Sequence, residues 1–152
     1  MAVDRERLRS DIEANATFGA IEGAGHGRTV LTGSPADEAA RDRLVDRFEE
    51  AGLAVRVDPV GNIAGRWVPE GVPPGTPPVA LGSHLDSVPE GGIFDGPLGV
   101  YGALEAVRAI QADEPDLGRP LEVVCFTEEE GGRFGVGTLG SSVAAGQRSQ
   151  TE

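Results

Sequence analysis

Val79-Ala80-Leu81-Gly82, the stretch from Leu98 to Ala112, and Leu121-Glu122-Val123-Val124-Cys125-Phe126-Thr127 together decide the fold of this 152-residue chain. The first and last are short apolar runs bounded by breakers, the last rich in branched and aromatic residues, and both read as strands. The first is expected to be buried, and the stretch between them reads as a helix. Two strands joined through a helix of that length are normally parallel and connected right-handedly, with helices covering the sheet. The expected class is α/β: a mostly parallel sheet flanked by helices.

Upstream of this unit, Ser34-Pro35-Ala36-Asp37 offers a capping hydroxyl, a proline at the first helical position and an acid in the first turn. Leu44, Val45 and Phe48 follow at helical spacing, which predicts a helix from Pro35 to Ala51 that ends at Gly52. Leu53, Val55 and Val57 alternate with Ala54, Arg56 and Asp58, and Gly61-Asn62 turns the chain into Ile63 to Val68, so two short strands are expected. Five prolines and two glycines between Pro69 and Pro78 predict a surface loop. Val3, Leu8 and Ile12 fit one face of a peripheral helix, and the polar residues 146–152 are expected to fray.

A chain of this size buries roughly two-thirds of its unfolded surface, enough for one domain with a core. Its apolar runs fall far short of the ~20 residues a membrane helix needs. The charged start, Met1-Ala2-Val3-Asp4-Arg5-Glu6, lacks the pattern of a secretory signal, so a cytoplasmic location is expected. A net charge of -12 repels nucleic-acid phosphates and anionic lipid, which leaves small or basic partners as the expectation. Cys125, the single cysteine, has no partner for a disulfide or a zinc finger and reads as core.

In open α/β sheets, ligands bind outside the carboxyl ends of the strands. Here those ends carry His84 and Asp86 after the first strand, Asp95 in a glycine-rich loop, and Glu128-Glu129-Glu130 after the second. Imidazole with carboxylates is a donor set suited to zinc and related divalent ions, and a carboxylate such as Asp95 can bridge two of them. Asp86, two residues beyond His84, can orient a ligating imidazole. Adjacent carboxylates can divide their work, one binding a cation while the other handles protons.

Three blocks make the pattern specific: Leu81-Gly82-Ser83-His84-Leu85-Asp86-Ser87-Val88-Pro89, Gly91-Gly92-Ile93-Phe94-Asp95-Gly96-Pro97-Leu98-Gly99-Val100 and Phe126-Thr127-Glu128-Glu129-Glu130-Gly131-Gly132-Arg133-Phe134. They resemble the signature blocks of the zinc-dependent hydantoinase/carbamoylase family. That family comprises N-carbamoyl-L-amino acid hydrolases, allantoate amidohydrolases and β-ureidopropionases, within the superfamily of co-catalytic zinc aminoacylases and carboxypeptidases. Asp58 with Gly61-Asn62-Ile63, and Gly140-Ser141-Ser142 with Ala145-Gly146, extend the resemblance over nearly the whole chain.

The resemblance implies a co-catalytic zinc aminopeptidase-like catalytic domain that hydrolyses non-peptide C–N bonds. It implies two divalent ions, zinc with manganese or cobalt as alternatives, with His84 and Glu130 each on one metal and Asp95 bridging them. Glu129 would be the general base that deprotonates the attacking water, and Asp86 would hold the His84 imidazole. Family members are more than twice as long, and further histidine ligands and an inserted lid and dimerisation domain come from downstream sequence. Residues 1–152 are therefore expected to be the N-terminal portion of the catalytic domain, binding metal weakly and turning over little alone, whereas full-length members are homodimers.

The three consecutive glutamates leave two alignments open, Glu128-Glu129 or Glu129-Glu130, and Gly131 favours the second. A metal-dependent exopeptidase or aminoacylase of the same superfamily, or a non-catalytic remnant, is the alternative. Gly135-Val136-Gly137-Thr138-Leu139-Gly140 also fits a nucleotide-binding pattern, but three acids stand between it and the strand that should precede it. His26 reads as a loop residue. Ser141 and Ser142 lack the surroundings of a serine nucleophile.

Overall fold

A computed structural model of the chain describes residues 2–23, 25–113 and 116–151; Met1 of the charged start and Glu152 of the polar tail lie outside the described residues. In chain order the elements are α1 (Arg5–Asn15), β1 (Arg28–Val30), α2 (Pro35–Glu50), β2 (Ala54–Val57), β3 (Ile63–Trp67), β4 (Val79–His84), β5 (Ser87–Gly91), α3 (Pro97–Asp113), β6 (Leu121–Phe126) and α4 (Leu139–Ala144). Four strands form a sheet in the order β2-β3-β6-β4, while β1 and β5 pair in a separate two-stranded sheet.

The strand-helix-strand unit is present, with β4 and β6 parallel and His84 opposite Phe126. The α/β class and the helix-flanked sheet hold, but the sheet is mixed where a mostly parallel one was expected. β2 pairs antiparallel with β3, and β3 antiparallel with β6. The turn between β2 and β3 is the reason: Gly61, at φ 90°, donates its N–H to Asp58 O at 2.9 Å. A connection that short permits only a hairpin.

β4 also departs from expectation. Its apolar run suggested a buried strand, yet it lies at the sheet edge and Val79 is 47% exposed. β1, β5 and α4 were not expected. Pro89 is compatible with β5 because a two-stranded ribbon leaves one side of each strand unpaired.

Helices cover one face of the main sheet. Ser34 caps α2 by accepting the Asp37 N–H at 3.2 Å, and the helix turns Ala40, Leu44 and Phe48 inward, all fully buried. Gly65 of β3 permits close packing there, since a Cβ would come within 2.5 Å of the Phe48 ring. Leu121, Val123 and Cys125 of β6 join the core with Val100, Leu104 and Val107 of α3. Burying each large apolar side chain contributes about 1.5–3 kcal/mol.

Buried charges bind the helices together. Asp11 of α1, 2% exposed, receives Arg43 at 3.1 Å, Arg47 at 2.9 Å and Arg108 at 3.0 Å. Glu105 of α3 takes the Arg7 guanidinium at 2.7 and 2.8 Å. Among the described residues, no helix is long and apolar enough to cross a membrane.

Candidate metal centre

His84 ends β4 at the carboxyl edge of the sheet and is 5% exposed. Its Nδ1 lies 3.0 Å from the Asp86 backbone oxygen and 3.4 Å from the Asp86 carboxylate. With Nδ1 donating to that carbonyl, Nε2 is left with a free lone pair. Nε2 faces two acids, Glu129 at 3.5 Å and Asp95 at 3.9 Å. Burial pulls the imidazole toward its neutral form, but Asp86 and then Glu129 outweigh it and the His84 pKa is raised.

Asp86 does more than face the histidine. Its carboxylate accepts the backbone N–H of Glu129 at 3.3 Å and of Glu130 at 3.0 Å. Burial alone would raise its pKa, yet His84 and these two N–H groups hold it below the usual carboxylate value. One side chain thereby joins the end of β4 to the acidic turn after β6.

Asp95 arrives through the glycine that follows it. Gly96 has φ 82° and lies flat against the His84 ring, where an added Cβ would sit 2.6 Å from Cε1. Only glycine allows both that backbone conformation and that approach. The Asp95 side chain itself remains 80% exposed.

The acidic turn is held from below. Asn62, 5% exposed, accepts the Thr127 N–H at 3.0 Å and donates to Gly140 O at 3.0 Å and to Asp58 at 2.8 Å. Glu128, at φ 52° and 1% exposed, accepts the N–H groups of Arg133 at 2.9 Å and Phe134 at 2.7 Å. Its carboxylate is engaged inside the loop, whereas Glu129 and Glu130 turn toward His84.

Gly131, Gly137 and Gly140 fold the same loop back on itself. A Cβ on Gly131 would lie 2.8 Å from Gly137 N, and one on Gly140 would lie 2.0 Å from the Asn62 side chain. The glycine pattern that suggested a nucleotide site is therefore occupied in shaping the acidic turn.

His84, Asp95 and Glu130 each offer a ligand atom, all within 4.8 Å of one another. The donor chemistry fits a divalent cation of the zinc type. Glu130 carries the mark of crowding: burial, with Asp95, Glu129 and Asp86 beside it, raises its pKa against the pull of His84. A bound cation would relieve that repulsion. His26 is exposed and lies outside the cluster. The sequence placed Asn62 in a turn with Gly61 and left Glu128 open as a member of the functional pair; nothing local told what the Asn62 amide or the Glu128 carboxylate would hold.

The sequence model of peptidase family M28 matches residues 62–152. Ureidoglycolate hydrolase of Arabidopsis thaliana is 38% identical over 152 residues, which is 100% of this chain and 31% of that protein. N-carbamoyl-L-amino-acid amidohydrolase of Paenarthrobacter aurescens is 43% identical over 141 residues, 93% of this chain and 33% of that protein. The crystal structure of a hydantoinase/carbamoylase family amidase from Burkholderia ambifaria superposes with a TM-score of 0.89 at 38% identity, over 96% of this chain and 35% of that one. The chain thus spans about a third of the length of the relatives it matches.

Proposed function

The chain belongs to peptidase family M28, and from that premise we propose that it supplies the N-terminal part of a metal-dependent amidohydrolase site acting on a non-peptide C–N bond. The substrate class is a small carbamoyl or ureido compound, as in the names of its relatives. The observation that carries the reading is the cluster of His84, Asp95 and Glu130, with ligand atoms within 4.8 Å of one another at the sheet edge.

His84 and Glu130 would each hold one ion and Asp95 would bridge them. Zinc bound there would supply Lewis acidity toward the oxygen of the scissile group. Glu129, 3.5 Å from His84 Nε2, takes the proton of the attacking water and returns it to the leaving nitrogen. Asp86 fixes the imidazole from its Nδ1 side and holds the peptide bonds of Glu129 and Glu130.

With Asp95 shared, each ion would have two protein ligands from residues 1–152, where a catalytic zinc normally has three. The remaining ligands, the lid and the dimerisation surface belong to sequence outside this stretch, and the stretch alone binds metal weakly and turns over little. The charge of -12 argues against nucleic acid and anionic membranes as partners, and a cytoplasmic site of action fits a small-metabolite substrate. The family's description as a peptidase family favours a second reading, cleavage of a peptide bond by a metal-dependent exopeptidase.

Zinc titration by calorimetry, with His84→Ala and Asp95→Ala beside the unaltered chain, tests the site. Weak binding that both substitutions abolish is expected; binding insensitive to both, or none, counts against the metal reading. Full-length protein carrying this segment should hydrolyse N-carbamoyl amino acids or a ureido acid, and exclusive cleavage of dipeptides would favour the second reading.

A further inference from the structure

Arg28 opens β1 and is fully buried, the largest side chain so enclosed. Its guanidinium reaches two backbone carbonyls: Nη2 donates to Leu85 O at 3.0 Å and Nε to Gly92 O at 3.3 Å. Leu85 stands between His84 and Asp86, and Gly92 stands at the start of the loop that carries Asp95. One planar group therefore spans the two segments that bring an imidazole and an exposed carboxylate together. Among the described residues Nη1 has no hydrogen-bond partner, and no carboxylate forms an ion pair with the guanidinium.

A buried cation without an ion-pair partner is costly to retain, and an apolar residue of similar volume would pack at less cost. Stability alone therefore does not account for an arginine here. Burial lowers the Arg28 pKa, and the carboxylates that oppose it include Asp86, Asp95 and Glu130, all members of the candidate centre. Lysine is a poor substitute: its three donors share one nitrogen at the end of a flexible stem, whereas the rigid fork of arginine presents Nε and Nη2 to two separate carbonyls at once.

We infer that Arg28 is the positioning residue of this site, holding the His84–Asp86 strand end and the Asp95 loop at a fixed separation through Leu85 O and Gly92 O. The inference rests on the metal reading for its purpose but not for its test. The β1·β5 pairing, with Arg28 opposite Gly91, carries the loop to Arg28. The guanidinium then ties that loop to β4, with which β5 forms no ladder.

The experiment uses the 152-residue chain with Arg28→Lys and Arg28→Gln, in two measurements. In the metal-free chain, nitrogen-15 relaxation should give Leu85 and Asp95 backbone order parameters that fall from about 0.85 toward 0.6 in both variants. Val123, in the core of β6, should keep its value. In zinc calorimetry, both variants should bind about ten- to a hundredfold more weakly than the parent, as loss of an outer support does at metal sites. Unchanged order at Leu85 and Asp95, or an equal loss at Val123, overturns the inference, the latter because it would reveal a general role in folding. Unchanged zinc affinity in the variants of a parent that binds zinc overturns it too. If the parent binds no zinc, the metal reading fails by itself, while the relaxation data still decide whether Arg28 couples the two segments.

Discussion

Gly96 governs how near Asp95 can come to His84, because its φ of 82° and the imidazole 2.6 Å from any added Cβ each exclude a side chain. Gly96→Ala should weaken zinc binding by about tenfold or more, through displacement of Asp95 or the ring by roughly an ångström, a scale on which ligand sites fail. Calorimetry beside a thermal melt checks this, and an unchanged affinity would mean that Asp95 is not a ligand. Cys125 carries a different prediction. Burial pushes its thiol up to about 12, so at pH 8 the native chain should resist iodoacetamide while urea-unfolded chain is alkylated readily. Rapid labelling without urea would contradict its burial. The residues brought to this edge were legible because polar groups after parallel strands must converge there. The Asp86 bonds to Glu129 and Glu130, and the reach of Arg28, were not, since they link positions dozens of residues apart whose facing depends on tertiary geometry.

At the scale of elements, the turn after β6 works as a unit built on Asn62, which secures its first residue, Thr127, and Gly140 in the first turn of α4. Asn62→Ala would leave a buried donor and a buried acceptor unpaired and should destabilise the chain by about 1–3 kcal/mol per unsatisfied group. The same substitution should lower zinc affinity, because Glu129 and Glu130 ride on that turn. Urea unfolding monitored through Trp67, followed by calorimetry, measures both effects. Helix α2 could be read from its cap and spacing, and the hairpin of β2 and β3 from its turn. The position of β4 could not: apolar content reports that a strand has a partner, whereas the order β2-β3-β6-β4 depends on which neighbours are available to it.

Across the whole molecule, α1 supplies none of the proposed ligands, yet it carries the anion on which three arginines from α2 and α3 converge. Asp11→Ala should cost about 3–5 kcal/mol, the penalty for breaking a buried ion pair and leaving its cations uncompensated. Equilibrium urea denaturation reads the loss, and a change below about 1 kcal/mol would mean that water reaches the cluster and screens it. The same arrangement bears on how the chain tolerates trimming. A protease that removed the segment through Asn15 would shed the apolar contacts of Leu8 and Ile12 and would take Asp11 from Arg43, Arg47 and Arg108, of which Arg47 keeps Glu50 and Arg108 keeps Glu105. The first helix thus acts as a lock with two keys, the Asp11 carboxylate and the Arg7 guanidinium that meets Glu105, and a nick in the turn that follows it would release them together.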